Sequence, residues 1–202
     1  MTLRLDKRGE GMPSRSVPLI NGHYYHIYNR TVGFKKLFYS HDDYVYYTDL
    51  LKEIDFSPCC DLIAYCLMPN HYHYLVRITD KNLFPKKMSF FFSKYLYSLQ
   101  QHQIESGRYF VNRYQNKLMT DESYLIYLCC YIHMNPVKAG LVDSVEAWPY
   151  SNYYAFVGKT KNQIWSSEFW SEYIQSSANY RELLHMHDFE ESIQPFLFSE
   201  EH

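Results

Sequence analysis

Residues 61 to 78 constrain the fold of this chain more than any other stretch of its sequence. Residues 61–68 (DLIAYCLM) form a short apolar run, which favours a buried strand. Met68-Pro69-Asn70 predicts a turn, and residues 71–78 (HYHYLVRI) alternate as a strand with two different faces does. The stretch therefore predicts two antiparallel strands joined by a tight turn.

The segments before this hairpin predict one more strand and one helix. Residues 23–30 (HYYHIYNR) are rich in strand-forming residues. Ser40 and Asp43 have the spacing of a capping box, and apolar residues then recur at helical spacing. We therefore expect a helix over 41–55.

The segments after the hairpin are predicted to be helical. Apolar spacing favours helices over 86–104 and 120–134, the second with Thr120 as its cap. Shorter helices are expected around 167–175 and 178–186. The order strand, helix, strand, strand, helix predicts an α+β fold: a ferredoxin-like antiparallel sheet with helices packed on it, plus a short C-terminal helical extension.

Length and composition are those of a folded chain without a membrane segment. The 202 residues correspond to one domain, or one domain with an extension, and 47% apolar residues suffice for a core. No apolar run approaches the ~20 residues of a membrane helix, and the N-terminus lacks the apolar stretch of a secretory signal. With five cysteines and no such signal, a reducing cytoplasm is the expected location.

Charge is distributed unevenly, although the formal total is only −2. Residues 1–38 carry seven basic and two acidic residues, and residues 81–117 carry seven basic residues and one acidic residue. Residues 143–202 carry ten acidic and three basic residues. This pattern favours one positive face that attracts a polyanion, and ordinary solvated surface charge is the alternative.

His71 and His73 lie two residues apart in the second strand of the hairpin. Residues i and i+2 of a strand point to the same face, so the two imidazoles converge as a natural pair of ligands for a divalent metal. Tyr72, between them, faces the core. On this spacing alone a chance pair stays open, because the chain has ten histidines.

Tyr131 and Asn135 lie four residues apart near the end of the third predicted helix, and they therefore share one face. Pro136 disfavours helical geometry at the residue before it, so the helix is expected to end at Asn135. A phenol and an amide oxygen would then be presented together. On spacing alone, a packed tyrosine and an asparagine cap are the favoured interpretation.

Together the two segments are far more informative. CLMPNHYHYLV (66–76), followed by YIHMNPVKAGLV (131–142), closely resembles the single-tyrosine transposases of the HUH endonuclease superfamily. The nearest branches are the insertion-sequence-type transposase-like proteins and the REP-associated tyrosine transposases. Three further stretches are similar to this family: residues 24–31, 107–125 and 147–156. The resemblance as a whole covers roughly residues 22–157.

The resemblance implies a role for each matched residue. His71 and His73 correspond to the metal-ligating histidines, Tyr131 to the nucleophile, and Asn135 to the polar residue that completes the metal site. It also implies a cofactor, Mg²⁺ or Mn²⁺, and a substrate, single-stranded DNA that often lies beside a hairpin. Residues 19–157 would be the catalytic domain, between a flexible N-terminal segment (1–18) and an acidic helical extension (158–202).

Seven basic residues are candidates for contacts with DNA phosphates. They are Arg30, Lys86, Lys87, Lys94, Arg108, Arg113 and Lys117. Four tyrosines could stack on unpaired bases, although core packing is the favoured role for each: Tyr24, Tyr28, Tyr109 and Tyr114.

Three functions remain to be distinguished. The leading hypothesis is a metal-dependent single-stranded DNA endonuclease and strand transferase with a 5′-phosphotyrosine intermediate. The second is a domesticated protein that binds DNA hairpins without cleaving them. The third is a metallohydrolase that attacks with activated water. A homodimer, with the tyrosine helix contributed across the interface, and a monomer are both open, and no membrane partner is expected.

Overall fold

Four strands form one sheet that is flanked by helices. The computed structural model describes residues 17–33, 35–102, 107–111, 113–159, 169, 177–185 and 193. The strands are β1 (Tyr24–Arg30), β2 (Cys60–Met68), β3 (His71–Ile78) and β4 (Gln115–Leu118). The helices are α1 (His41–Ile54), α2 (Leu83–His102), α3 (Leu125–Lys138), α4 (Tyr153–Phe156) and α5 (Ser177–His185), with short 3₁₀ turns at Glu122–Tyr124 and Val145–Ala147.

The strands lie in the order β2-β3-β1-β4, and every neighbouring pair is antiparallel. β2 and β3 form the predicted hairpin, and α1 carries the chain from β1 to β2, past β3 between them. Because α2 connects β3 to β4, the topology is the βαββαβ arrangement of ferredoxin-like folds. The predicted fold class is therefore confirmed.

The face of the sheet that carries Tyr72 and Tyr74 of β3 packs against α1 and α2, and we call it the helix face. Tyr72 stacks on Phe92 of α2 with ring centroids 5.1 Å apart, and the hydroxyls of Tyr74 and Tyr47 of α1 are hydrogen-bonded. Large aromatic rings of this kind supply much of the buried apolar area of a core. The most deeply buried tyrosines among the described residues pack in the core of the protein: Tyr25, Tyr47, Tyr72, Tyr95, Tyr153 and Tyr180.

The opposite face of the sheet carries His71 and His73, and we call it the site face. α3 packs over it, mainly on β2 and β3, and buries Leu128, Cys129 and Ile132. Opposite residues of neighbouring antiparallel strands share a face, so Tyr28 and Arg30 of β1, which pair with His73 and His71, belong to it as well.

A buried hydrogen-bond network joins α3 to the C-terminal helix α5. Nδ2 of Asn152 donates to the carbonyl of Ile63, so Oδ1 of Asn152 is the acceptor for Nε2–H of His133, 2.9 Å away. Nδ1 of His133 therefore accepts a hydrogen bond from the hydroxyl of Tyr180 on α5, at 2.6 Å. His133 is completely buried in this network, so its role is structural.

α3 does not end where the sequence predicts. It continues through Pro136 to Lys138, so the expected end at Asn135 was wrong. Pro136 removes one backbone hydrogen bond of the helix, and the burial of α3 against β2 and β3 outweighs this loss. Gly140, with φ +65°, follows the last turn, and such a glycine is a common helix terminator.

The start of this region also differs from the prediction. A 3₁₀ turn precedes α3, and the carboxylate of Asp121, not Thr120, caps it by accepting from the backbone N–H of Ser123 at 2.9 Å. Residues 115–118 form β4, which the sequence did not predict.

The other boundaries lie close to the predictions. α2 begins at Leu83, because the carboxylate of Asp80 accepts hydrogen bonds from the backbone N–H groups of Asn82 and Leu83. The predicted helix at 178–186 is α5, whereas 167–175 lies almost wholly outside the described residues, as do most of the predicted terminal segments 1–18 and 158–202.

Two further observations complete the fold. Among the described helices, none is long and apolar enough to cross a membrane. All five cysteines are buried free thiols: Cys59, Cys60, Cys66, Cys129 and Cys130.

Candidate functional site

β3 brings His71 and His73 together on the site face. Their ring centroids are 5.0 Å apart, and Tyr72 between them is completely buried on the opposite face. The alternation of side chains along the strand produces this arrangement, as the sequence predicted. Both imidazoles are themselves buried.

Hydrogen bonds hold each imidazole at its Nδ1 atom. Nδ1 of His71 donates to Oδ1 of Asn70 at 2.7 Å, since an amide oxygen can only accept. Nδ1 of His73 is hydrogen-bonded to Nε2 of His26 at 2.9 Å. The nitrogen that each ring could offer to a metal is therefore Nε2, and ligating histidines are commonly oriented through the other nitrogen in this way.

Both imidazoles are held in the neutral form. Burial, with a smaller contribution from the positive charge of Arg30, lowers the pKa of His71 to about 3. Burial also lowers the pKa of His73 well below its ordinary value, and the neighbouring His71 and His26 add to this effect. A metal ligand must be deprotonated, so neutral imidazoles at physiological pH suit that role.

α3 places Tyr131 beside His73. Its ring centroid lies 5.8 Å from that of His73, with the two planes at 85°, and the side chain is half-buried. Tyr131 and the strand that carries both histidines therefore come together within a single chain, although about 60 residues separate the two motifs.

Asn135 lies one turn after Tyr131, and its side chain folds back onto the helix. Nδ2 of Asn135 donates to the carbonyl of Tyr131 at 2.9 Å, so Oδ1 is the atom left to act as a ligand. In the described part of the chain, no group of three or more His, Cys, Asp or Glu side chains could hold a metal. The donors that the family resemblance implies are two imidazoles and one amide oxygen, a set whose chemistry suits an open site for a divalent metal.

The sequence analysis missed one residue of this site, His26. Its side chain is completely buried, it is hydrogen-bonded to His73, and its ring centroid lies 6.2 Å from that of Tyr131. The alternation in residues 23–30 places His26 and Tyr28 on one face of β1. Only the pairing of β1 with β3 shows that this is the face of the histidine pair.

Two of the seven basic candidates belong to the site face. Arg30 is opposite His71 in the sheet, and Lys117 of β4 is opposite His26. Arg30 is exposed, whereas burial lowers the pKa of Lys117. Both positive charges thus lie on the face of the sheet that carries the histidines.

Three other basic candidates lie on α2, in the helix layer on the opposite side of the sheet. Nζ of Lys87 donates to the backbone carbonyls of Ile54 and Asp55 at the end of α1, and Lys94 forms an ion pair with Glu53. Lys86 is exposed. The structure therefore does not bring this trio together with the histidines, and contacts with DNA remain a prediction for them.

The remaining candidates lie in the segment before β4. The guanidinium of Arg108 donates to the carbonyl of Val111, and Arg113 lines a cavity of about 420 Å³ together with Lys81 and Tyr114. Of the four tyrosines considered for base stacking, Tyr24, Tyr28 and Tyr109 are buried, and Tyr114 is half-buried. This burial agrees with core packing as their role.

Comparisons with known proteins agree with the motifs. No family model matches the chain. A Haemophilus influenzae protein with the provisional name REP-associated tyrosine transposase is 27% identical over 128 residues, which cover 54% of this chain and 72% of the relative. A solved structure described as a REP-associated tyrosine transposase bound to a REP hairpin shares the fold, with a TM-score of 0.62 over 77% of this chain and 98% of the other, at 15% identity. In its motifs, in part of its sequence and in its fold, the chain is thus similar to REP-associated tyrosine transposases.

Proposed function

We propose that this protein is a metal-dependent endonuclease and strand transferase that acts on single-stranded DNA at hairpin-associated sites. One observation carries the proposal: Tyr131 packs against His73, and His73 against His71, with ring centroids 5.8 Å and 5.0 Å apart. A tyrosine that packs against one of two paired neutral imidazoles brings a nucleophile close to a pair of metal ligands.

The covalent step would take place at Tyr131. Its hydroxyl oxygen would attack the scissile phosphorus in line, lose its proton, and form a 5′-phosphotyrosine bond. The bond from phosphorus to the 3′ oxygen would break, and that oxygen would gain a proton to leave as a 3′-OH. Because the phosphotyrosine conserves the phosphodiester, another strand's 3′-OH could reverse the step, so one site would both nick and join.

Mg²⁺ or Mn²⁺ is the proposed cofactor, with Nε2 of His71 and His73 and Oδ1 of Asn135 as its protein ligands. When bound, the cation supplies charge neutralisation at the phosphate. Only three protein donors leave further positions for solvent and phosphate, which distinguishes this set from a closed structural zinc site.

The proposed substrate is a DNA hairpin with a single-stranded flank. The name of the sequence relative and the REP hairpin bound by the structural neighbour support this class of substrate. Of the seven basic candidates, Arg30 and Lys117 share the site face with the histidines, and their proposed role is to hold phosphates there.

The test is capture of the covalent intermediate. The full chain is incubated with hairpin-bearing single-stranded oligonucleotides and Mn²⁺, and protein–DNA adducts are resolved on a denaturing gel. We expect an adduct that Tyr131→Phe abolishes. Tyr127→Phe is the matched control, since Tyr127 is half-buried on the same helix one turn earlier and should leave the adduct intact.

The other functions predict different outcomes in the same assay. Hairpin binding without an adduct under either metal would favour a protein that binds but does not cleave. Cleavage without an adduct would favour attack by water. An adduct that persists in Tyr131→Phe would show that Tyr131 is not the nucleophile.

A further inference from the structure

Lys138, the last residue of α3, lies over the ring of Tyr131. The two residues are seven apart in the helix, about two turns, and therefore share one face. Nζ of Lys138 is 5.0 Å from the centroid of the Tyr131 ring, within the distance at which a cation is attracted by an aromatic ring. Lys138 lies within the matched segment 131–142, but the family resemblance described above assigns it no role.

The surroundings of Lys138 lower the pKa of its ammonium group. Although the residue as a whole is exposed, desolvation lowers the pKa of its ammonium to about 8, against a smaller opposing effect of Cys130. A cation that has lost part of its hydration interacts more strongly with a neighbouring ring and with neighbouring negative charge.

Lys138, His73 and His26 surround the Tyr131 ring. His73 and His26 meet this ring nearly perpendicularly, with interplanar angles of 85° and 81°. Asn135, which lies between Tyr131 and Lys138 on the helix, donates a hydrogen bond from its side chain to the backbone carbonyl of Tyr131. Two imidazoles and one ammonium therefore limit the orientations that the ring can adopt.

We propose that Lys138 is a positioning residue for the nucleophile: its ammonium holds the Tyr131 ring in its attacking orientation and keeps a positive charge beside the reacting groups. This rests on the proposed function. Attack requires that the tyrosine oxygen meet phosphorus in line, and small losses of alignment reduce rates strongly. A fixed positive charge also favours the negative charge that develops during phosphoryl transfer.

The experiment separates positioning from DNA binding. The rate of adduct formation is measured in single turnovers at saturating hairpin DNA with Mn²⁺, and DNA affinity is measured separately. We expect Lys138→Met to lower the saturated rate by about tenfold and Lys138→Arg, which keeps a cation at this place, to restore most of it. Lys159→Met is the matched control, because Lys159 lies 5.4 Å over the ring of Tyr154 without contact with the site, and it should keep the wild-type rate.

A second readout does not require DNA. With 3-fluorotyrosine at position 131, Lys138→Met should shift the ¹⁹F resonance, and Lys138→Arg should return it toward that of the wild type. If Lys138→Met changes neither the ¹⁹F resonance nor the rate, the proposal is overturned. It is also overturned if Lys138→Met weakens DNA binding but leaves the saturated rate unchanged, because that result would indicate a phosphate contact. Equal loss of rate in Lys138→Met and Lys138→Arg would also overturn it. Failure of the wild type to form any adduct would instead refute the proposed function, and the ¹⁹F shift would still report on the contact.

Discussion

The helix face and the site face of the sheet differ in chemistry although consecutive residues of β3 build both. His71 and His73 lie on one side, and Tyr72 and Tyr74 lie on the other. On the helix face, phenol rings pack against α1 and α2 and supply apolar burial. On the site face, three imidazoles are buried beside a tyrosine, which costs hydration and places reactive groups together. The polar groups of the candidate site thus lie on one side of the strand, next to the apolar burial under α3, and aromatic packing dominates the other side.

The largest expected effect is on the site face. His73→Ala removes one of the two proposed imidazole ligands and should lower the rate of adduct formation by about a thousandfold, as should a chelator acting on the wild type. Stability to urea should fall far less, because the helix face is untouched. Adduct formation at the wild-type rate in His73→Ala would contradict the assigned ligand.

The matching change on the helix face should have the reverse consequence. Phe91 is completely buried and packs edge-on against Tyr47 of α1, with ring centroids 4.7 Å apart. Phe91→Ala should lower the free energy of unfolding by about 3–5 kcal/mol, as other deletions of core aromatics do. Urea denaturation measures this, and at low temperature the folded fraction should still form the adduct. A loss below about 1 kcal/mol would contradict the view that this face supplies the stability.

The two faces should also respond to opposite extremes of pH. His71 has a pKa of about 3 when folded and an ordinary value near 6.5 when unfolded, so only the unfolded chain binds its proton between these values. Stability contributed by its neutral form is therefore present above pH 6.5 and is lost as pH falls, by about 2 kcal/mol at pH 5. Burial raises the pKa of Tyr47 and Tyr74, so their contribution is lost only above about pH 10.

Urea denaturation at pH 7.5 and pH 5, with a chelator present, tests the acid side of this prediction. His71→Gln should lose less stability on acidification than the wild type. His23→Gln, at an exposed position, should lose as much as the wild type. An equal loss in His71→Gln and the wild type would show that His71 is not responsible.

A smaller effect is expected from His26, which contacts the site without being a proposed ligand. His26→Phe removes the hydrogen bond to Nδ1 of His73 but keeps an aromatic ring, and Mn²⁺ affinity should fall by about tenfold. Isothermal calorimetry of the DNA-free protein measures this directly. Unchanged affinity would mean that the hydrogen bond does not orient His73.

The smallest effect has the opposite sign. The hydroxyl of Tyr72 is buried and, among the described residues, has no hydrogen-bond partner. Tyr72→Phe removes this unsatisfied group and should raise the free energy of unfolding by about 1 kcal/mol, with no change in adduct formation. A destabilised variant would indicate that the hydroxyl is satisfied in solution.

The sequence predicted the features that depend on local spacing. The β2–β3 hairpin, the capping box of α1 and the shared face of His71 and His73 follow from residues a few positions apart. That Tyr131 belongs beside these histidines was implied by the family resemblance, because no local rule connects segments so distant in the chain.

The missed features depend on contacts between distant segments. β4 (QNKL) has no strand-like apolar pattern and is stabilised by its pairing with β1. The role of His26 arises from the same kind of pairing, through β3. α3 passed through Pro136 because the loss of one backbone donor is outweighed by burial of the helix against β2 and β3.

The distance in sequence between the hairpin and α3 has a consequence for the synthesis of the protein. The ribosome synthesises His71 and His73 about 60 residues before Tyr131. A nascent or prematurely terminated chain that stops before α3 carries both histidines but not the tyrosine. Such a fragment would lack the proposed nucleophile, so the proposed site can form only after α3 has been translated.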